Sequence, residues 1–201
     1  MDKIIIINAS PRAPRSNSKI YAHSFIKNCK LETDYLEITN TNHQIIINKL
    51  NNYKHLVFVF PLYVDSIPST LLNFLKLLEN NKLTNKPIIH ILINCGFIEY
   101  SQNNIAIEMV KLFCKQNNYQ VGSILSIGGG EGLPTTPFKK LGNYVISRFS
   151  KSIVKEKYRK FEFTMPITKK FYIKASTNYW IKYGEKFGIT KEDMEIMEIE
   201  K

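Results

Sequence analysis

The sequence predicts an α/β fold of the doubly wound kind: a five-stranded parallel sheet with helices on both faces and a C-terminal extension. Short β-branched or aromatic runs without strict alternation, as expected of strands buried on both faces, alternate along the chain with segments whose apolar residues recur at i, i+3, i+4 and i+7, the period of helices lying on a sheet. Over the first 127 residues this alternation implies right-handed crossovers between parallel strands.

The first strand is expected over 3–8 (KIIIIN), followed by a helix with the stripe Ala22, Phe25, Ile26 and Cys29. A weaker strand at 34–38 precedes a short helix at 43–53. The third strand is 55–60 (HLVFVF), and the next helix carries Leu71, Leu72, Phe74, Leu75 and Leu78, with Pro68 suited to its first turn because no N–H is needed there. The fourth strand is 87–94 (PIIHILIN), followed by a helix with Ile105, Met109, Leu112 and Phe113 inward, and the fifth strand is 120–127 (QVGSILSI). A helix from about Phe138 through Leu141, Tyr144, Val145 and Phe149 closes a domain of residues 1–150. Residues 151–201 form a basic, aromatic-rich extension packed on the same domain or on a partner subunit, and 191–201 form a short helix or a frayed end.

With 201 residues, 44% of them apolar, and only 9 glycines and 8 prolines, the chain has enough core to fold as a globular domain without disulfide staples. Cys29, Cys95 and Cys114 are widely spaced and read as reduced thiols of a cytoplasmic protein. No apolar run reaches the roughly 20 residues that span a bilayer, and residues 1–12 enter a strand pattern directly, so neither membrane insertion nor a leader is expected. The net charge of +11 comes from dispersed lysines and arginines, with a modest concentration at 151–174, and reads as a solvated basic surface, not a nucleic-acid site. His23, His43, His55 and His90 lack metal-ligand spacing.

A doubly wound sheet opens a crevice outside the carboxyl ends of its first and third strands. After the first strand comes NASPRAPRSNS and then a helix. Ser10, Ser16 and Ser18 supply hydroxyls, Arg12 and Arg15 charged donors, and the helix start adds N–H groups at its positive end, a set suited to a phosphate; alternatively Ser16 only caps the helix. The segment lacks GxGxxG and GxxxxGK[ST], which disfavours a dinucleotide or a hydrolysed nucleoside triphosphate and leaves a mononucleotide phosphate. After the third strand, Tyr63 offers a flat surface beside the crevice or simply packs.

The pairing of INASPRAPRSNSKIYA with FVFPLYVDSIPSTLLNFL some 40 residues later resembles the NAD(P)H-dependent FMN reductase and quinone reductase group of flavodoxin-like proteins, over roughly residues 3–130. The resemblance implies that Ser10, Arg12, Ser16, Asn17 and Ser18 grip the phosphate of FMN, and that Pro61, Leu62, Tyr63, Val64, Asp65 and Ser66 flank its ring. A third loop would bring Asn94, Cys95, Gly96, Phe97 and Tyr100 to the cofactor, Gly96 allowing close backbone approach. It also implies NAD(P)H as co-substrate, a small-molecule electron acceptor such as a quinone or flavin, and a homodimer, with no general acid or base required.

Cys95 has no resolving cysteine or cationic neighbour in sequence and reads as an inert thiol. The loop Gly128, Gly129, Gly130, Glu131, Gly132 either borders the cofactor or is a flexible turn. The aromatics Phe161, Phe163, Phe171, Tyr172, Tyr179, Trp180, Tyr183 and Phe187, interleaved with lysines, could form a single-strand nucleic-acid platform but are expected to pack on the core or a second subunit. The competing function is a flavodoxin-type single-electron carrier, against which the basic charge counts. An iron-sulfur flavoprotein is disfavoured by the scattered cysteines.

Overall fold

The computed structural model describes residues 2–196; the expectation for the end of the tail falls on 197–201, outside the described residues. Contacts divide the chain into a unit Met1–Met165 and a unit Pro166–Lys201. The first unit is a parallel sheet of β1 (Ile4–Asn8), β2 (Thr33–Glu37), β3 (His55–Pro61), β4 (Ile88–Asn94), β5 (Val121–Ile127) and β6 (Lys160–Phe163), in the order β2-β1-β3-β4-β5-β6. The expected five strands are therefore six. β6 lies parallel beside β5 at the edge and buries only alternate residues, Phe161 and Phe163, the first edge-on to Phe149. Four residues with one apolar face leave too weak a sequence signal to separate from the basic segment around them, and 151–165 consequently belong to the sheet-bearing unit.

The central strands are buried on both faces, as their unbroken apolar runs require. On one face Ile5, Ile7, Leu56, Phe58, Phe60, Ile89, Ile91 and Ile93 meet α2 (His43–Lys49), α3 (Ser69–Glu79) and α4 (Asn104–Gln116). α1 (Asn17–Asn28) and α5 (Lys139–Val154) cover the other, joined through the edge-on contact of Phe25 with Phe149.

One expected helix face, that of α4, is corrected, and α5 shows the same ambiguity. α4 buries Ala106, Ile107, Val110, Phe113 and Cys114, leaving Ile105 and Leu112 exposed; α5 buries Gly142, Ile146, Phe149 and Ile153, leaving Leu141 and Tyr144 exposed. Each helix carries apolar residues on two sides, so periodicity alone selects a stripe one step away from the true one. Small residues decide the register of α5: a Cβ at Gly142 would meet Leu133 Cδ2 at 2.8 Å.

In the amino-terminal half of the sheet, the β4–β5 register shifts between Ile89 and Ile91. There Ser123 N–H donates to His90 Nδ1 at 2.8 Å, the imidazole taking the place of a strand carbonyl. With Nδ1 accepting, the His90 proton resides on Nε2, which donates to His55 Nδ1 at 3.2 Å. Gly122 makes room for this: a Cβ there would lie 2.1 Å from the His90 ring. A serine relay adjoins it. Arg159 N–H donates to Ser123 Oγ, whose hydroxyl donates to Ser152 Oγ at 2.6 Å, and Ser152 donates to Phe149 O.

The second unit contains α6 (Lys169–Glu185) and α7 (Lys191–Glu195). Thr190 and Asp193 form a reciprocal capping box at the start of α7. Tyr179, Trp180 and Tyr183 of α6 and Phe187 just beyond it form an exposed row of neighbouring rings. Among the described residues no helix is long and apolar enough to cross a membrane.

Candidate functional site

β1 and β3 are neighbours at the point where the strand order reverses, and the loops leaving them and β4 border a cleft of about 100 Å³. Ser10, Arg12, Ser16, Asn17, Ser18, Pro61, Leu62, Asn94, Cys95, Gly96 and Glu131 line it. Ten of these eleven are among the sixteen residues expected from sequence. Tyr63, Val64, Asp65, Ser66, Phe97 and Tyr100 do not line the cleft.

The loop after β1 is built by its own side chains. Asn8 Oδ1 accepts from Ser10 N at 3.0 Å, and Ser10 Oγ accepts from Arg12 N at 3.3 Å. Ser16 caps α1 by accepting from Lys19 N at 3.2 Å, and also accepts from Asn8 Nδ2 at 3.4 Å. The same Asn8 amide donates to Tyr35 Oη, which donates in turn to Glu37. Burial above all, then the carboxylate beside it, pushes the Tyr35 phenol up to about 12, so it remains a donor. Ser18 Oγ accepts from Asn94 Nδ2 at 3.2 Å, while Asn94 is itself locked by donating to Phe60 O.

Ser10, Ser16 and Ser18 thus each accept a hydrogen bond through oxygen, and among the described residues none donates. The three hydroxyls line the cleft with donor capacity left over, beside Arg12 and the first N–H groups of α1, which the helix ladder cannot satisfy. An anion with several acceptor oxygens matches this set; a cation does not.

The loop after β3 makes a tight turn in which Tyr63 and Ser66 exchange both backbone hydrogen bonds. Val64 (φ 49°) and Asp65 (φ 53°) both lie in the left-handed region, strained for a β-branched residue. The loop after β4 is stitched to the glycine loop: Gly129 N donates to Phe97 O and Gly130 N to Cys95 O. Gly130 has to be glycine because a Cβ would come within 2.8 Å of Asn94 Cβ. Burial pushes the Cys95 thiol up to about 11, and it donates weakly to the carbonyls of Phe97 and Glu99, a structural role. The Tyr100 phenol is bonded to Glu162, which raises it, and so is engaged towards β6.

The glycine loop itself is hung from α1. Tyr21 Oη, kept protonated by burial, donates to Gly130 O at 2.5 Å, and Asn17 Nδ2 donates to the carbonyls of Gly130 and Glu131. The sequence singled out this loop as a possible border of the site but not Glu131 as one of its walls. Nothing in a linear reading places 131 opposite Arg12.

This arrangement defines a flavodoxin-like mononucleotide-binding protein. The family model for NADPH-dependent FMN reductase matches residues 3–130, and the chain belongs to that family, whose cofactor is FMN and whose co-substrate is NAD(P)H. Solved structures share the fold. An NADPH-quinone reductase from P. pentosaceus is 15% identical, covering 75% of this chain and 98% of that one with a TM-score of 0.60. A Streptococcus pneumonia flavodoxin is 13% identical (77% and 99% covered, TM-score 0.58). An FMN-dependent NADH-azoreductase from Bacillus anthracis, in complex with FMN, is 14% identical (78% and 99% covered, TM-score 0.57). No curated protein matches the chain. The protein is thus placed among flavin-dependent oxidoreductases.

Proposed function

We propose that this protein oxidises NAD(P)H through FMN held at the cleft and delivers the electrons to a small acceptor such as a quinone or free flavin. The observation that carries this reading is the set of three serine hydroxyls that accept but find no acceptor among the described residues. A phosphate dianion has the oxygens and charge to take all three together with Arg12 and the start of α1. FMN when bound supplies the hydride and electron chemistry.

The chain's own residues grip and orient. Asn8 fixes the Ser16 oxygen and Asn94 fixes the Ser18 oxygen, so that each hydroxyl rotates its proton towards the ligand. Pro61 and Leu62 supply an apolar wall of the cleft, and the turn at Tyr63, Val64, Asp65 and Ser66 and the glycine loop would border the flavin outside it. No side chain has to move a proton in the flavin half-reaction.

The test is uptake of FMN by the purified protein, followed by mixing with NADH or NADPH. Rapid bleaching of bound flavin, and turnover with a quinone or free flavin, are expected. Bleaching only through a protein redox partner would make it an electron carrier, and failure to take up FMN at micromolar concentration would reject the reading. Replacing Ser16 and Ser18 with alanine and Arg12 with glutamate should abolish uptake. The homodimer read from the resemblance is checked by mass in solution.

A further inference from the structure

Glu131 is the residue whose chemistry runs against the rest of the cleft. Its main chain is fixed, because its carbonyl and that of Gly130 accept from Asn17 Nδ2 at 3.0 and 3.3 Å. Its side chain is half-exposed, and Oε1 lies 3.9 Å from an Arg12 guanidinium nitrogen. Its other oxygen lies only 3.3 Å from where a Cβ on Gly96 would stand. The carboxylate, carried by the loop after β5, therefore lies between Gly96 of the loop after β4 and Arg12 of the loop after β1, in a cleft otherwise furnished with donors.

A carboxylate and a phosphoryl group present the same thing to such donors, a negative charge on oxygen acceptors. We propose that Glu131 is an internal competitor for the FMN phosphate, holding Arg12 in the ligand-free protein and setting the affinity for phosphorylated over unphosphorylated flavin. This rests on the FMN reading given above. Both partners of the Arg12–Glu131 contact are largely solvated, with 72% and 46% of their side chains exposed, so the contact is weak and the carboxylate is displaced at little cost. Its remaining influence is repulsion of the phosphate dianion, which riboflavin lacks.

The test measures the Kd of FMN and of riboflavin by flavin fluorescence for the wild-type protein, Glu131→Gln and Glu131→Ala. Glutamine keeps the shape and removes the charge, whereas alanine excludes a new hydrogen bond made by the amide. Both variants are expected to tighten FMN roughly three- to tenfold and to leave riboflavin unchanged. Melting curves confirm that the half-exposed substitution leaves the fold intact. FMN affinity that falls or stays the same, or a shift shared by both flavins, overturns the proposal while FMN binding by the wild type upholds the parent reading. A wild-type protein that takes up neither flavin removes both.

Discussion

Serines serve opposite ends at the two halves of this sheet. In the amino-terminal half, Ser123 and Ser152 form a closed relay in which each hydroxyl donates and accepts, ending on Phe149 O, next to a histidine pair whose facing nitrogens are also matched. At the carboxyl ends of the strands, Ser10, Ser16 and Ser18 accept but do not donate among the described residues. Buried hydroxyls normally have their hydrogen-bonding capacity met within the protein. A half-met set gathered around a guanidinium keeps donor capacity that an anion could use, and the closed relay spends its capacity on the fold.

The comparison breaks if substitutions at the two ends have interchangeable effects. The largest expected effect is on stability alone: Gly122→Ala drives a Cβ into the His90 ring and should cost about 3 kcal/mol in denaturant unfolding, with FMN affinity of the folded protein unchanged.

Next comes acid. Burial first, and His55 second, lower the His90 imidazole from 6.5 to about 3. The unfolded chain therefore binds the proton that the folded one refuses, so the stability contribution is complete above pH 6.5 and is lost as pH falls towards 3. At pH 5 the loss should be about 2 kcal/mol relative to neutral pH. His90→Asn, which retains an acceptor for Ser123 N–H but cannot titrate, should flatten that slope.

The serines then sharpen the contrast. Ser18→Ala should weaken FMN about tenfold, the value of a hydrogen bond to a charged group, with little change in melting temperature. Ser123→Ala should do the reverse, lowering stability by about 1 kcal/mol and leaving titration with FMN as it was. The smallest effect is at the turn after β3: Val64→Asn relieves a left-handed conformation that valine tolerates poorly, and should raise stability by about 0.5 kcal/mol.

What the sequence made legible follows from which signals are local. β1, β3, β4 and β5 are continuous apolar runs because both their faces are covered, and the residues after them line the cleft because strand ends in this architecture converge there. The edge strand at Lys160–Phe163 escaped because its single buried face has only Phe161 and Phe163 to announce it. The inward face of α4 was misread because Ile105 and Leu112 satisfy helical spacing as well as Ile107 and Cys114 do; only packing distinguishes them. Glu131 is invisible in the linear pattern for a third reason: its position opposite Arg12 depends on Asn17 and Tyr21, more than a hundred residues earlier.

That last tie bears on when, during synthesis, the protein can first become yellow. The glycine loop that roofs the cleft is suspended from Asn17 and Tyr21 across 113 and 109 residues of chain. A nascent polypeptide that has emitted the segment after β1 still lacks one border of the cleft until Gly130 and Glu131 have emerged from the ribosome and docked. Colour, in a growing or truncated chain, would register that the last wall is up.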